Sequence, residues 1–176
     1  ATKLDRALEA FNNIVENVRI MGEEKNFRIL DNNSEHSCSR TFKKNAKQTG
    51  AIKIQALAAD AKRADGLNAN IIILDEIHAY KSANEYYVYK QAMMAYVNKL
   101  LIGITTAGQN MNSFCCEQLQ YCKSVLDETV EDEEYFIFIC EADDPEDYTN
   151  PVQHEMANPN YGVTIRPADI MNSAIQ

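Results

Sequence analysis

No run in this chain approaches the roughly 20 apolar residues of a membrane span, so a transmembrane role is not expected. The opening "ATKLDRALEAF" is amphipathic and carries both charge signs, unlike a secretory leader. These absences predict a soluble, cytosolic protein. None of the five cysteines forms a CxxC pair, which argues against zinc and disulfide frameworks. Cys38, Cys115, Cys116, Cys122 and Cys140 read instead as buried free thiols. There is no GxSxG and no paired Cys–His spacing, so a nucleophilic triad has no support. Basic charge is short, with 17 Lys and Arg against 26 Asp and Glu and a net charge of −9. That balance excludes a dedicated nucleic-acid-binding surface. Glycine is scarce too. Gly22 and Gly50 stand alone in the first fifty residues, and no GxxxxGK[ST] occurs, so the chain lacks a backbone cradle for phosphates.

What is present is enough for a core. Hydrophobic residues make up 45% of 176, a length that suits one domain or one domain with part of another. Residues 3–20 repeat apolar side chains at three and four, predicting a helix that Gly22 ends. "NFRIL" is a short strand candidate, "DNNSEHSCS" a polar turn-rich stretch, Thr49–Gly50 a turn, and "AIKIQALAA" a strand. "IIIL" and "KLLIGITT" read as strands covered on both faces, with a helix between them from about Asn84 to Asn98. "NSFCCEQLQYCKSVLDE" is a further helix and "EYFIFICEA" a further strand. The alternation predicts an α/β fold, a mostly parallel sheet flanked by helices and wound through right-handed crossovers. After Ala142 the pattern is lost, and all four prolines fall there. Residues 1–142 are therefore expected to form the domain, and 143–176 a surface connection ending in a helix start at "RPADIMNSAIQ".

The chemistry concentrates at "IIILDEIHAY", where a dry strand runs straight into Asp75 and Glu76. Carboxylates at the mouth of a buried strand are costly unless solvated or bound to something. Four apolar residues followed by Asp–Glu form the Walker B pattern of ATP-hydrolysing motors. In that pattern the first acid holds Mg²⁺, usually through water, and the second orients and deprotonates the attacking water. The bland alternative is a strand ending in a solvated loop. Two neighbours favour the chemical reading. Thr105 and Thr106 end the next strand in "ITTAG", placing hydroxyls beside the acids, and Arg63 lies in the loop just before the strand. A metal site built from Asp75, Glu76 and His78 is thin, since no second histidine is near. Lys43, Lys44 and Lys47 form either a solvated loop or a modest DNA-contacting patch. Tyr80, Tyr86, Tyr87 and Tyr89 suit helix-face packing better than base stacking.

In combination, "ALAADAKRADGLN", "LDEIHAY" and "ITTAG" resemble the ATPase region of the large terminase subunit of tailed bacteriophages. "ATKLDRALEAF" is similar to the helix after that family's phosphate loop, and "ANPNYG" to the segment leading out of its ATPase domain. The resemblance covers nearly the whole chain in the family's order. It implies a partial P-loop NTPase core of the RecA-like (ASCE) type, and a motor that packages viral DNA into capsids and also cuts it with a separate nuclease domain. It implies ATP and Mg²⁺ as cofactors. Asp75 would be the Walker B metal acid, Glu76 the catalytic glutamate, Thr105 and Thr106 the coupling residues, and Arg63 an arginine finger. Implied partners are double-stranded viral DNA, the portal protein, the small terminase subunit and further copies in a ring. The implied setting is the host bacterial cytoplasm, with a phage or prophage gene as source. The phosphate loop and the nuclease acids are missing from these residues, so this stretch alone is expected to be inactive. A DExH-type helicase, to which "DEIH" also conforms, and a non-enzymatic α/β interaction module are the alternatives.

Overall fold

A computed structural model describes residues 4–58 and 66–175. Two compact units divide the chain, Ala1–Tyr121 and Cys122–Gln176. The first begins with helix α1, Leu4–Ile20, which buries Phe11 and Val15. Gly22 ends it as the sequence predicts: at φ +70° its N–H reaches the Arg19 carbonyl, and that of Glu23 reaches Val18.

Three antiparallel strands follow, β1 (Arg28–Asp31), β2 (His36–Lys44) and β3 (Lys47–Gln55), in the order β1-β2-β3. The expectation of a mostly parallel sheet fails here. Asn45 and Ala46, both at positive φ, close a two-residue turn with Lys44 opposite Lys47. Such a turn twists with its strands and leaves no room for a parallel crossover. The expected turn at Thr49–Gly50 lies inside β3, and the stretch expected to be turn-rich enters β2. Cys38 lies opposite Ile29 and Ile54, fully buried beneath Phe11 and Val15. Arg40 lies over the rings of Phe27 and Phe42 and pairs with Glu23 at 3.0 Å. Beyond it the hairpin is exposed, and Lys43, Lys44 and Lys47 lie at its tip.

The parallel pairing that does occur joins β4 (Ile71–Asp75) to β5 (Leu100–Ile104), with Ile71 opposite Leu100 and Asp75 opposite Ile104. One face of β4 buries Ile72 and Leu74 with Tyr80, Tyr86, Tyr89, Met93 and Phe114. The other leaves Ile71 and Ile73 more than half exposed, so β4 is not covered on both faces among the described residues. Helix α2, Ala83–Gln91, supplies Tyr86 and Tyr89 to this cluster. It ends earlier than expected, because residues 92–99 turn back to bring Leu100 into β5, where its N–H meets the Asn70 carbonyl. Tyr86 packs on Phe114 at 5.0 Å between ring centroids. Burial of three of the four tyrosines fits packing rather than base stacking.

Helix α3, Phe114–Leu126, follows β5, and the division between the units falls within it. In the second unit the expected strand around 134–142 enters no ladder, and Phe136 and Phe138 are exposed. Its β-prone sequence has no partner strand among the described residues, and an extended segment becomes a strand only by pairing. Helix α4, Pro151–Ala157, starts where the Asn150 side chain accepts the Val152 N–H. His154 is buried in it, its Nε2 2.6 Å from the Tyr148 carbonyl. Helix α5, Pro167–Ile175, forms as "RPADIMNSAIQ" predicts.

Candidate active site

Register builds the site. Because β4 and β5 run parallel with Asp75 opposite Ile104, the residues that follow each strand, Glu76 and Thr105, leave the sheet at the same end. Asp75 is half-buried, and among the described residues its carboxylate makes no hydrogen bond or ion pair. Among the described residues, nothing occupies its oxygens. No group of three or more His, Cys, Asp or Glu side chains among the described residues forms a metal cage. A cation on Asp75 would complete its shell with water or phosphate oxygens, as Mg²⁺ prefers.

Glu76 takes the left-handed conformation, φ +56° and ψ +49°, and starts the 3₁₀ turn Ile77–Ala79. The turn closes through N–H bonds from Ala79 to Glu76 and from Tyr80 to Ile77, each 3.0 Å. A non-glycine residue in this region is strained, and such strain gathers at functional sites. The turn folds back on the loop after β5, and two glycines admit it. A Cβ at Gly103 would stand 2.7 Å from Ile77 Cδ1, and one at Gly108 would stand 3.0 Å from His78 Cβ. The glycines of "IGITTAG" are therefore contact positions.

Thr105 locks the two segments together. Its Oγ1 accepts the His78 backbone N–H at 3.0 Å, lies 3.1 Å from His78 Nδ1, and donates to the Thr106 carbonyl at 2.9 Å. Thr106 Oγ1 is 3.5 Å from the same ring nitrogen. His78 Nδ1 is also 3.1 Å from Glu76 Oε2, an oxygen shielded from solvent with no well-aligned hydrogen bond. Cys115 Sγ approaches Thr105 Oγ1 at 4.0 Å, and burial pushes this thiol above its usual range. Tyr80 lies beneath the turn with its hydroxyl buried and unpartnered. Burial above all, then the negative charge that Tyr89, Glu85 and Asp75 can carry, raises its phenol well above the ordinary tyrosine range.

The structure thus brings Asp75, Glu76, Thr105 and Thr106 to one sheet end; Arg63 lies outside the described residues. Sequence reasoning weighed His78 only as a metal ligand. Its link to Thr105 spans 27 residues and depends on the β4–β5 register, which no local pattern encodes.

A family model for the ATPase domain of the terminase large subunit matches residues 1–124. Protein YmfN of Escherichia coli (strain K12) is 29% identical over 152 residues, a match covering 78% of this chain and 33% of YmfN. The crystal structure of the HK97 bacteriophage large terminase matches 97% of this chain with a TM-score of 0.72. That match covers 33% of the HK97 chain at 20% identity, a level at which the likeness concerns the fold. The chain thus spans about a third of the length of each relative.

Proposed function

This chain belongs to the terminase large subunit ATPase domain family, and we propose that it carries the Walker B half of the ATP site in a phage DNA-packaging motor. The observation that most supports this is the paired exit of Asp75–Glu76 and Thr105–Thr106 from one end of a parallel strand pair. In open α/β sheets, ligands gather at the carboxyl ends of the strands. In this reading Asp75, whose carboxylate has no partner among the described residues, would hold Mg²⁺, which would neutralise charge on the ATP phosphates. Glu76 orients the attacking water and takes its proton. Thr105 and Thr106 pass the change of nucleotide state to neighbouring elements, and Arg63 acts as an arginine finger on an adjoining copy. The core is of the P-loop NTPase type, with the phosphate loop supplied from outside these residues. Residues 1–142 belong to the ATPase domain, and 143–176 lead towards a nuclease domain.

The full-length protein would act in the bacterial cytoplasm as a ring on the portal, with double-stranded viral DNA and the small terminase subunit as partners. The helicase alternative has lost ground to the family match. The test is ATP hydrolysis by the full-length protein with DNA present. Glu76→Gln, which keeps shape and removes the base, is expected to lower kcat by about 10²–10⁴-fold, while the 176-residue chain alone shows no turnover. Unchanged hydrolysis in Glu76→Gln, or turnover by the chain alone, would refute the assignment.

A further inference from the structure

We infer that His78 is a positioning residue, whose single Nδ1 proton stands between the Glu76 carboxylate and the Thr105 hydroxyl and links the motion of one to the other. This rests on the reading of Glu76 as the catalytic base and Thr105 as a coupling residue.

The bonding around Thr105 favours one direction for each donor, with the Cys115 thiol a more distant approach at 4.0 Å. Its hydroxyl has one proton, which goes to the Thr106 carbonyl at 2.9 Å. Its oxygen is left to accept, and it accepts the His78 backbone N–H at 3.0 Å. The approach of His78 Nδ1 at 3.1 Å is then satisfied only if that nitrogen carries hydrogen. Glu76 makes the same demand. A bare Nδ1 lone pair 3.1 Å from an ionised carboxylate oxygen would be repelled, whereas Nδ1–H is attracted. Thr105 and Glu76 both select the ring form protonated on Nδ1, and the Thr106 hydroxyl, 3.5 Å from that nitrogen, is compatible with it as an acceptor.

The two acceptors are not equal. The proton is aligned on Thr105, and Glu76 Oε2 remains shielded from water without a true hydrogen bond. A buried acceptor left open is unfavourable, and a small ring rotation would satisfy it by transferring the Nδ1–H from Thr105 to Glu76. The ring therefore has two hydrogen-bonded settings. Withdrawal of the Thr105–Thr106 segment lets the Nδ1–H, still on the ring, donate to Glu76 instead and draws the carboxylate onto His78. Return of the segment frees the carboxylate for water. Gly108 leaves the imidazole room for this, because a Cβ there would press on His78 Cβ at 3.0 Å and lie 3.7 Å from its Cγ.

Two measurements test the inference separately from the proposed function. In the 176-residue chain, nitrogen-15 spectra of the His78 ring should show hydrogen on Nδ1 at neutral pH. Thr105→Val should shift that signal, and Gly108→Ala should also move it. A ring protonated on Nε2 alone, or one insensitive to both substitutions, overturns the inference whether or not the protein hydrolyses ATP. In the full-length protein, His78→Ala should lower kcat about 10–100-fold, the range for partners that orient a working group, with KM for ATP unchanged. His78→Asn, whose amide nitrogen stands near the Nδ1 position, should restore most of the rate; His78→Gln, which mimics Nε2, should not. Equal rates in all three variants overturn the positioning role. If Glu76→Gln alone is silent, the Walker B assignment falls and the spectra still decide the hydrogen-bond arrangement.

Discussion

Glu76 is held at φ +56° and ψ +49°, and exchanging its side chain separates two opposed contributions. For an L-residue this left-handed conformation costs about 1–2 kcal/mol, because Cβ crowds the following carbonyl. Glycine has no such crowding, but it loses more chain freedom on folding, about 0.5–1 kcal/mol relative to alanine. At mid-range values the difference leaves Glu76→Gly more stable than Glu76→Ala by about 0.75 kcal/mol, although both lose the same carboxylate. Both also lose its 3.1 Å approach to His78, so that contact cancels in the comparison. For a chain of this size each kcal/mol moves Tm by about 2–4 °C, so thermal unfolding should place the glycine variant about 1.5–3 °C above the alanine variant. Urea titration should agree, with the midpoint raised and the slope unchanged. Asparagine, which tolerates the left-handed region, should fall between them. All three variants should lack the proposed catalytic base. An alanine variant as stable as the glycine variant would show that Glu76 is not strained and that no strain is retained there for function.

Other outcomes follow from buried polar groups and caps. Tyr80→Phe removes a buried hydroxyl without a partner and should stabilise the chain by about 1 kcal/mol in chemical denaturation. Its folded phenol is raised, so the folded state keeps the proton longer than the unfolded state does. Tyr80 therefore contributes no pH dependence below about pH 10 and costs stability increasingly above it; the alkaline decline should be shallower in Tyr80→Phe. Asn150→Ala deletes the cap that accepts the Val152 N–H and should cost about 1 kcal/mol, seen as faster amide exchange through α4.

Much of the fold was legible where the pattern is local. The repeat of Phe11, Val15 and their neighbours, with Gly22 after them, marks α1 and its cap, and the apolar runs at 71–74 and 100–104 mark β4 and β5. The β2–β3 hairpin was misread because its turn, Asn45–Ala46, places alanine at positive φ where glycine is the usual signal. Ser37, Ser39 and His36 disguised the start of β2 as a loop, and only the buried Cys38 beneath α1 shows what the strand packs against. "YFIFIC" has strand propensity without a ladder, since propensity expresses fit to a partner that the described residues do not supply. At the site, residue types were readable in Asp75, Glu76, Thr105 and Thr106. The histidine between them was not, because hydrogen-bond geometry is set by register and not by spacing.

The uncovered face of β4 has a practical consequence for handling. Ile71 and Ile73 expose apolar surface on a sheet that has two strands among the described residues, a shape that invites self-association through faces and edges. At neutral pH, mutual repulsion from a net charge of −9 opposes that association. Acidification towards the isoelectric point near 4.8 removes that repulsion while leaving the apolar face in place. Solubility should therefore fall steeply with protein concentration in mildly acidic buffers, and added salt, by screening the same charge, should bring precipitation on at higher pH.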